Sequence, residues 1–371
     1  MGGAVEQPTT PGRAVARGRG VSIRDVARVA GVSHQTVSRV INNHDKVSPQ
    51  TRTRVQQVIE DLGFRPNASA RALASGDAQS VTVLMSNTTR YGYIATLTGI
   101  EEAARAASFS VGIVVIESAS TGHVTAALER GIDAHGALII VAFDRAGLTA
   151  LERAPAGLPL AAAVESPAAA PPAGAPWRWI DDESAARQAT RYLLELGHDT
   201  VHYIPLPSTT RSSRRTAGWR AALRAAGASV PPPGNSAWGS PAGFEAGLAL
   251  AHDPAVSAIL CGNDEIALGA LSALHHLGRR VPEEVSVAGF DDEPQAAYYA
   301  PPLTTSRLDF NALGRACFET VLAQLSGGGV SPGPVGLPKL IIRESTAAPR
   351  QVAGNAMVPA VHPQRAAASS R

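Results

Sequence analysis

The sequence predicts a small all-α unit followed by a much larger α/β core built on parallel sheets. Three observations predict it. Residues 21–62 repeat apolar side chains at helical spacing, interrupted by glycine and by capping residues. From residue 80 onward short apolar runs alternate with amphipathic ones. Basic charge gathers near the amino-terminal end of a chain whose net charge is only +2.

The first unit resolves into three helices. Ser22 can cap a helix, with Asp25 three residues on to return to the cap amide, and Ile23, Val26, Ala27 and Ala30 form its apolar face. Gly31 supplies the left-handed residue that stops it. Ser33 caps a second helix in which Val37, Val40 and Ile41 turn inward, leaving His34, Gln35, Thr36, Ser38 and Arg39 outside. Ser48-Pro49 opens a third helix, cap then proline, with Val55, Val58, Ile59 and Leu62 on one side and Gly63 at its end.

This is helix-turn-helix spacing, in which the start of the second helix meets base edges in the major groove. Gln pairs bidentately with adenine and Arg with guanine. The candidate DNA contacts here are therefore Ser33, His34, Gln35, Thr36, Ser38, Arg39 and Asn42, with His34, Gln35 and Arg39 as base readers. The same pattern also fits a small bundle with an ordinary solvated face. Charge favours the first reading. Between residues 21 and 76 there are eight basic side chains against four acidic ones, and Arg13, Arg17 and Arg19 precede them. That distribution suits contact with phosphates.

Residues 63–76, Gly-Phe-Arg-Pro-Asn-Ala-Ser-Ala-Arg-Ala-Leu-Ala-Ser-Gly, allow a two-turn helix capped by Asn67, too short to be stable alone. With residues 22–42, Ser-Ile-Arg-Asp-Val-Ala-Arg-Val-Ala-Gly-Val-Ser-His-Gln-Thr-Val-Ser-Arg-Val-Ile-Asn, the chain resembles LacI-type (LacI/GalR family) transcriptional regulators over most of residues 21–346. It is nearest in motifs to the lactose-type members. The resemblance implies that Asn67 to Leu73 is a hinge helix entering the minor groove. Leu73 would be the wedge in the central base step, and Ala70 small enough for close approach.

In the core, Val81–Met85, Val111–Ile116, Ala137–Val141, Val201–Ile204, Ala258–Cys261 and Val285–Phe290 read as strands. Ile94–Ala107, Ala186–Leu196, Thr216–Ala226, Glu265–Leu277 and Ala312–Leu325 read as helices. Such alternation predicts parallel sheets covered by helices, with ligands bound beyond the carboxyl ends of the strands. That rule picks out Ser86 and Asn87, Arg215, Asn263 and Asp291, polar groups suited to sugar hydroxyls, and Trp238 in a Gly/Ser-rich loop offers a flat apolar face for a ring. Asp264 is expected to cap the helix beginning at Glu265, and Asp292 to solvate a turn, so neither joins the site.

The resemblance implies the same site. It gives the core as periplasmic-binding-protein-like, two doubly wound parallel-sheet subdomains joined by three crossovers. The motifs Ser-Arg-Arg-Thr-Ala-Gly-Trp at 213–219, Cys-Gly-Asn-Asp-Glu-Ile-Ala-Leu-Gly at 261–269 and Gly-Phe-Asp-Asp at 289–292 bring Arg215, Asn263 and Asp291 to the ligand. Trp219 and Trp238 fall where lactose-type members have theirs, implying a galactoside-like effector. The chain departs from the pattern in two places. Pro159-Leu-Ala-Ala-Ala-Val-Glu165 lacks the Asp often found at the end of its strand, and Asp181-Asp182-Glu183-Ser184-Ala185 stands for Asp-Asn-x-x-Gly. Whether Glu165, Asp181 or Asp182 touches ligand stays open.

The predicted organisation is a disordered tail at 1–20, a headpiece at 21–65, a hinge helix and linker at 66–77, a core at 78–346 and a disordered tail at 347–371. One subdomain takes residues 78–178 and 308–335, the other 179–307 and 336–346. No apolar run approaches a membrane span and no export signal is visible. Two cysteines offer no disulfide framework, consistent with a cytoplasmic protein. The resemblance implies a homodimer, since the leucine heptad of a tetramerising tail is not evident after residue 347.

Together these readings predict a repressor bound to double-stranded, palindromic operator DNA and released when a sugar effector enters the core. No cofactor, metal or catalytic residue is expected. The histidines are scattered and no nucleophile elbow, phosphate loop or metal-spaced His/Cys set appears. The alternative of the same fold is a corepressor-type regulator binding a nucleobase or other small metabolite. A sugar-binding transport protein would carry an export signal and lack the headpiece.

Overall fold

The computed structural model describes residues 23–41, 47–62, 80–135, 137–167, 175–207, 213–235, 237–329 and 331–350. The predicted tail at 1–20, the hinge residues Asn67, Ala70 and Leu73, and Asn42 lie outside them. Contacts within the chain divide it into two units, residues 1–78 and 79–371.

In the first unit, α1 (Ile23–Ala30), α2 (His34–Ile41) and α3 (Pro49–Asp61) close around Val26, Ala27, Ala30, Val37, Val40 and Val55. Gly31, at φ +65°, makes the turn between the first two. Ser33 Oγ accepts from the Thr36 amide at 3.1 Å and Ser48 Oγ from that of Thr51 at 3.3 Å, as N-caps do. His34, Gln35 and Arg39 are exposed.

The second unit is built on two sheets. The first takes β1 (Ser80–Met85), β2 (Ser110–Val115), β3 (Leu138–Ala142), β4 (Leu160–Val164), β5 (Trp177–Trp179) and β10 (Gly333–Pro334). Its order is β10-β5-β4-β3-β1-β2, and all pairs are parallel. The second takes β6 (His202–Ile204), β7 (Ala258–Cys261), β8 (Ser286–Asp291), β9 (Thr304–Arg307) and β11 (Lys339–Ile341), ordered β11-β9-β8-β7-β6. The sheets are parallel as expected except at this edge, where β11 runs antiparallel to β9. It is an edge strand reached after the chain's last passage from the first sheet, and an edge accepts either direction. The chain passes between the sheets three times, after β5, after β9 and after β10.

Helices α4 (Tyr91–Ala106), α5 (Thr121–His135), α6 (Arg145–Arg153) and α11 (Phe310–Leu325) pack on the first sheet or on each other. Helices α7 (Asp182–Glu195), α8 (Arg214–Ala225), α9 (Ser240–Ala251) and α10 (Asp264–His276) belong with the second. One apolar cluster runs from Val81, Ile139 and Phe318 of the first half to Tyr203, Leu260 and Phe290 of the second. Among the described residues no helix is long and apolar enough to cross a membrane.

The predicted tail at 347–371 is corrected at its start. The Ala347 amide donates to Ser286 Oγ at 3.0 Å, and its carbonyl lies 3.1 Å from His198 Nε2. Burial pushes the His198 pKa below its ordinary value, which favours the neutral ring in this clamp. These bonds hold a segment whose composition alone carries no sign of structure.

Two helices of the first half meet almost backbone to backbone. A Cβ on Gly314 of α11 would lie 2.0 Å from the Thr96 carbonyl oxygen of α4, and one on Gly99 would lie 1.9 Å from that of Asn311. Gly314→Ala is therefore expected to destabilise the protein by at least about 2 kcal/mol in urea denaturation. At Gly122, where nothing lies within 4 Å, the same change should be neutral or stabilising. Equal effects at the two positions would contradict this packing.

Candidate ligand cleft

The carboxyl ends of both sheets open onto one cavity with about 820 Å³ of empty space, part of it open to solvent. Of the residues expected in it, Arg215, Trp238, Asn263 and Asp291 line it, and Ser86 and Asn87 do not. The Ser86 hydroxyl donates to the Asp144 carboxylate and lies 3.3 Å from the Tyr93 hydroxyl. Asp144 in turn caps α6 by accepting from the Gly147 amide at 2.9 Å, so Ser86 braces the strand end.

Arg215 organises the polar end. It sits in the first turn of α8, which Ser213 caps through the Thr216 amide. Its Nε donates to Asp182 Oδ1 at 2.9 Å, its Nη1 donates to the Gly262 carbonyl, and its Nη2 lies 3.5 Å from Asp291 Oδ1. The Phe290 ring lies beneath, 5.0 Å from Cζ. Only 13% of the side chain is exposed. Burial opposes the charge, yet Asp182 and Asp291 more than offset it and hold the Arg215 pKa above its ordinary value.

Asp182 is presented by the first turn of α7, whose cap is Asp181 accepting from the Ser184 amide at 3.0 Å. Of the three carboxylates left open by the sequence, Asp182 lines the cavity and Asp181 caps a helix. Glu165 also lines the cavity, from the residue after β4. Asn263 caps α10, its side-chain oxygen accepting from the Ile266 amide at 2.9 Å.

Asp291 ends β8 with φ at +101°, a backbone conformation that a side chain rarely adopts. Among the described residues its Oδ1 is buried and makes no hydrogen bond. Burial raises its pKa to about 6 even though Arg215 pulls the other way. A buried carboxylate oxygen whose Arg215 partner stands as far off as 3.5 Å keeps room to accept from a hydroxyl.

Two neighbours correct the sequence reading. Asp264 does not cap α10, because Asn263 holds that position. Asp264 is fully buried, accepting from Thr305 Oγ1 at 2.6 Å and from the Glu293 amide at 2.8 Å, which ties α10 to β9 and to the loop after β8. Burial, with Asp291 beside it, raises its pKa well above the ordinary range. Asp292 is no solvated turn residue. Its carboxylate binds Arg343 at 2.5 Å and Arg307 at 2.7 Å and leaves only 6% of the side chain exposed.

Aromatic rings beyond the one expected at Trp238 also line the cavity. Tyr91 meets Phe310 edge-on at 6.2 Å, Phe310 meets Phe143 at 5.9 Å, and Phe143 meets Tyr93 at 5.2 Å. Trp238 adds a fifth ring, with the Arg90 guanidinium over its face. Trp219 belongs elsewhere. It is wholly buried, donates to the Val201 carbonyl at 2.9 Å and packs on Tyr203, as a core side chain does.

The Asp291 carboxyl keeps its proton more tightly when folded. Ionising it therefore costs stability as pH rises from the ordinary 3.8 through about 6, on the order of 3 kcal/mol in all. Asp291→Asn removes that cost. Its stability relative to the unmodified protein should rise between pH 4.5 and pH 8 in urea denaturation. A relative fall over the same window would contradict the burial of an incompletely paired carboxylate.

Comparison with known proteins agrees with this architecture. The family model for bacterial regulatory proteins of the lacI family matches residues 22–67, and that for a periplasmic binding protein-like domain matches 190–346. The lactose operon repressor of Escherichia coli (strain K12) is 30% identical over 337 residues, covering 89% of this chain and 91% of its own. The transcriptional regulator CelR of Thermobifida fusca is 31% identical over 345 residues, covering 89% and 99%. Among solved structures, the lac repressor dimer bound to operator and the anti-inducer ONPF matches with a TM-score of 0.78 at 29% identity, covering 89% of this chain and all of the other. A CelR–cellobiose complex matches at 0.61 and 27%, covering 88% and 99%.

Proposed function

The chain belongs to the lacI family of bacterial regulatory proteins and is a DNA-binding regulator of transcription; from that premise we propose that a sugar entering the cleft releases it from a palindromic operator. The observation that carries the sugar reading is the polar end of the cleft. Arg215, Asp182, Asp291 and Asn263 line the same cavity as several aromatic rings. Hydroxyls need paired donors and acceptors, and the apolar side of a pyranose needs a flat apolar wall. The cleft offers both. Relatives that bind operator DNA, ONPF or cellobiose add weight to the same reading. The site is assigned to binding and not to catalysis, and its relatives are transcriptional regulators.

At the DNA end, α2 reads bases through His34, Gln35 and Arg39. Ser33, Thr36, Ser38 and Asn42 support the docking, and the Asn67–Leu73 segment enters the minor groove with Ala70 and Leu73. Two copies read two half-sites. The sugar favours an arrangement of the cores in which the two hinges part, so the ligand shifts the equilibrium by its difference in affinity between arrangements. A coupling of about 1–3 kcal/mol would lower operator affinity about 5- to 150-fold. The aromatic wall would equally take a nucleobase, and a ligand of that class acting as corepressor would tighten operator binding.

The test is operator titration in the presence of mono- and disaccharides. The unmodified protein should bind operator more weakly when the effector is present. Arg215→Ala should bind operator with unchanged affinity and fail to respond. A normal response by Arg215→Ala would remove the cleft from the function, and tighter binding on ligand addition would replace release with corepression.

A further inference from the structure

The cleft already has an occupant for its best stacking surface. Arg90 immediately precedes α4, and its backbone is fixed because Asn87 Oδ1 accepts from the Thr89 amide at 2.9 Å and the Arg90 amide at 2.8 Å. Trp238 comes from the other half of the core, in the segment between α8 and α9. Gly239 follows it at φ +91°, and that left-handed residue sets the turn from which the indole projects. Both side chains line the cavity, and the Arg90 guanidinium carbon stands 3.8 Å from the centroid of the Trp238 ring. A cation over an indole at that distance is held by the negative face of the ring. The contact therefore covers one face of Trp238 and joins the two halves of the core across the cleft.

We propose that Arg90 is a built-in competitor for the effector's ring, stacked on Trp238 and displaced when a pyranose lies on that face. This rests on the reading of the cleft as a sugar site and adds a specificity-determining residue to it. A ligand meets Trp238 with its face open only in the fraction of molecules where Arg90 has swung away, so apparent affinity is lowered by that fraction. The competitor also selects. A pyranose with an unbroken patch of C–H groups makes up for the lost cation–π contact, whereas a ring whose hydroxyls interrupt that patch does not. Removing Arg90 should tighten binding and blur the distinction between such rings.

The experiment is calorimetry on the full-length protein with lactose, cellobiose, galactose and a wider panel of mono- and disaccharides. It compares the unmodified protein with Arg90→Leu, Arg90→Lys and Arg215→Ala. Arg90→Leu should bind its sugar about 2- to 30-fold more tightly, the range set by the strength of cation–π contacts. Arg90→Lys should fall between, and Arg215→Ala should not bind. Acrylamide quenching without sugar gives a second readout. Trp238 fluorescence, isolated by difference from Trp238→Phe, should be more accessible in Arg90→Leu. Sugar binding by the unmodified protein that Arg90→Leu leaves unchanged or weakens would overturn the competitor and leave the sugar cleft standing. Equal quenching would overturn the stacking. Failure of every sugar to bind the unmodified protein and Arg90→Leu alike would overturn both.

Discussion

The cleft depends on one buried positive charge. A guanidinium removed from water loses hydration that only charged or strongly polar partners replace, and stripping one partner from such a group typically costs about 3–5 kcal/mol. Arg215 finds its partners on three separate elements: Asp182 at the start of α7, Asp291 at the end of β8 and the Gly262 carbonyl just beyond β7. Each must arrive at a set point in space. The parallel order β8-β7-β6 and the packing of α7 on α8 deliver them there. The polar end of the cavity is thus a consequence of the sheet.

Asp291 is incompletely satisfied in this arrangement. Its strained backbone and its buried Oδ1, held by Arg215 only at 3.5 Å, both carry a free-energy cost. The full pairing of Asp292 next door, between Arg307 and Arg343, marks the contrast. Asp292 fastens the loop, while Asp291 is paired less closely, to Arg215 at 3.5 Å. A ligand hydroxyl that donates to Asp291 gains more than it would against a satisfied group, which gives the proposed effector its orientation.

Much of this was legible in the sequence, and the limits are physical. The strands β1, β3, β7 and β8 are apolar runs buried along their whole length, so they stand out without help. Strand β5 is three residues long and half-buried, which hid it and with it the strand end that presents Asp182. Arg215, Asn263 and Asp291 follow recognisable strands or sit in distinctive motifs. Arg90 lies four residues beyond Ser86, within reach of the same strand-end rule, but a turn closed by Asn87 carries it to the cavity while Ser86 turns to Asp144. The aromatic wall had no local signature. Tyr91, Phe143 and Phe310 come from α4, the end of β3 and α11, and only the close crossing of α4 and α11 at Gly99 and Gly314 brings two of them together. Asp264 misled for a related reason. Capping depends on one residue of register, and Asn263 won it.

The central claim is that cleft and operator are linked, and linkage works in both directions. The most direct measurement is calorimetric titration of the effector sugar into free protein and into the protein–operator complex. The account predicts that operator weakens sugar binding by the same factor by which sugar weakens operator binding. The same dissociation constant for sugar with and without operator would contradict it.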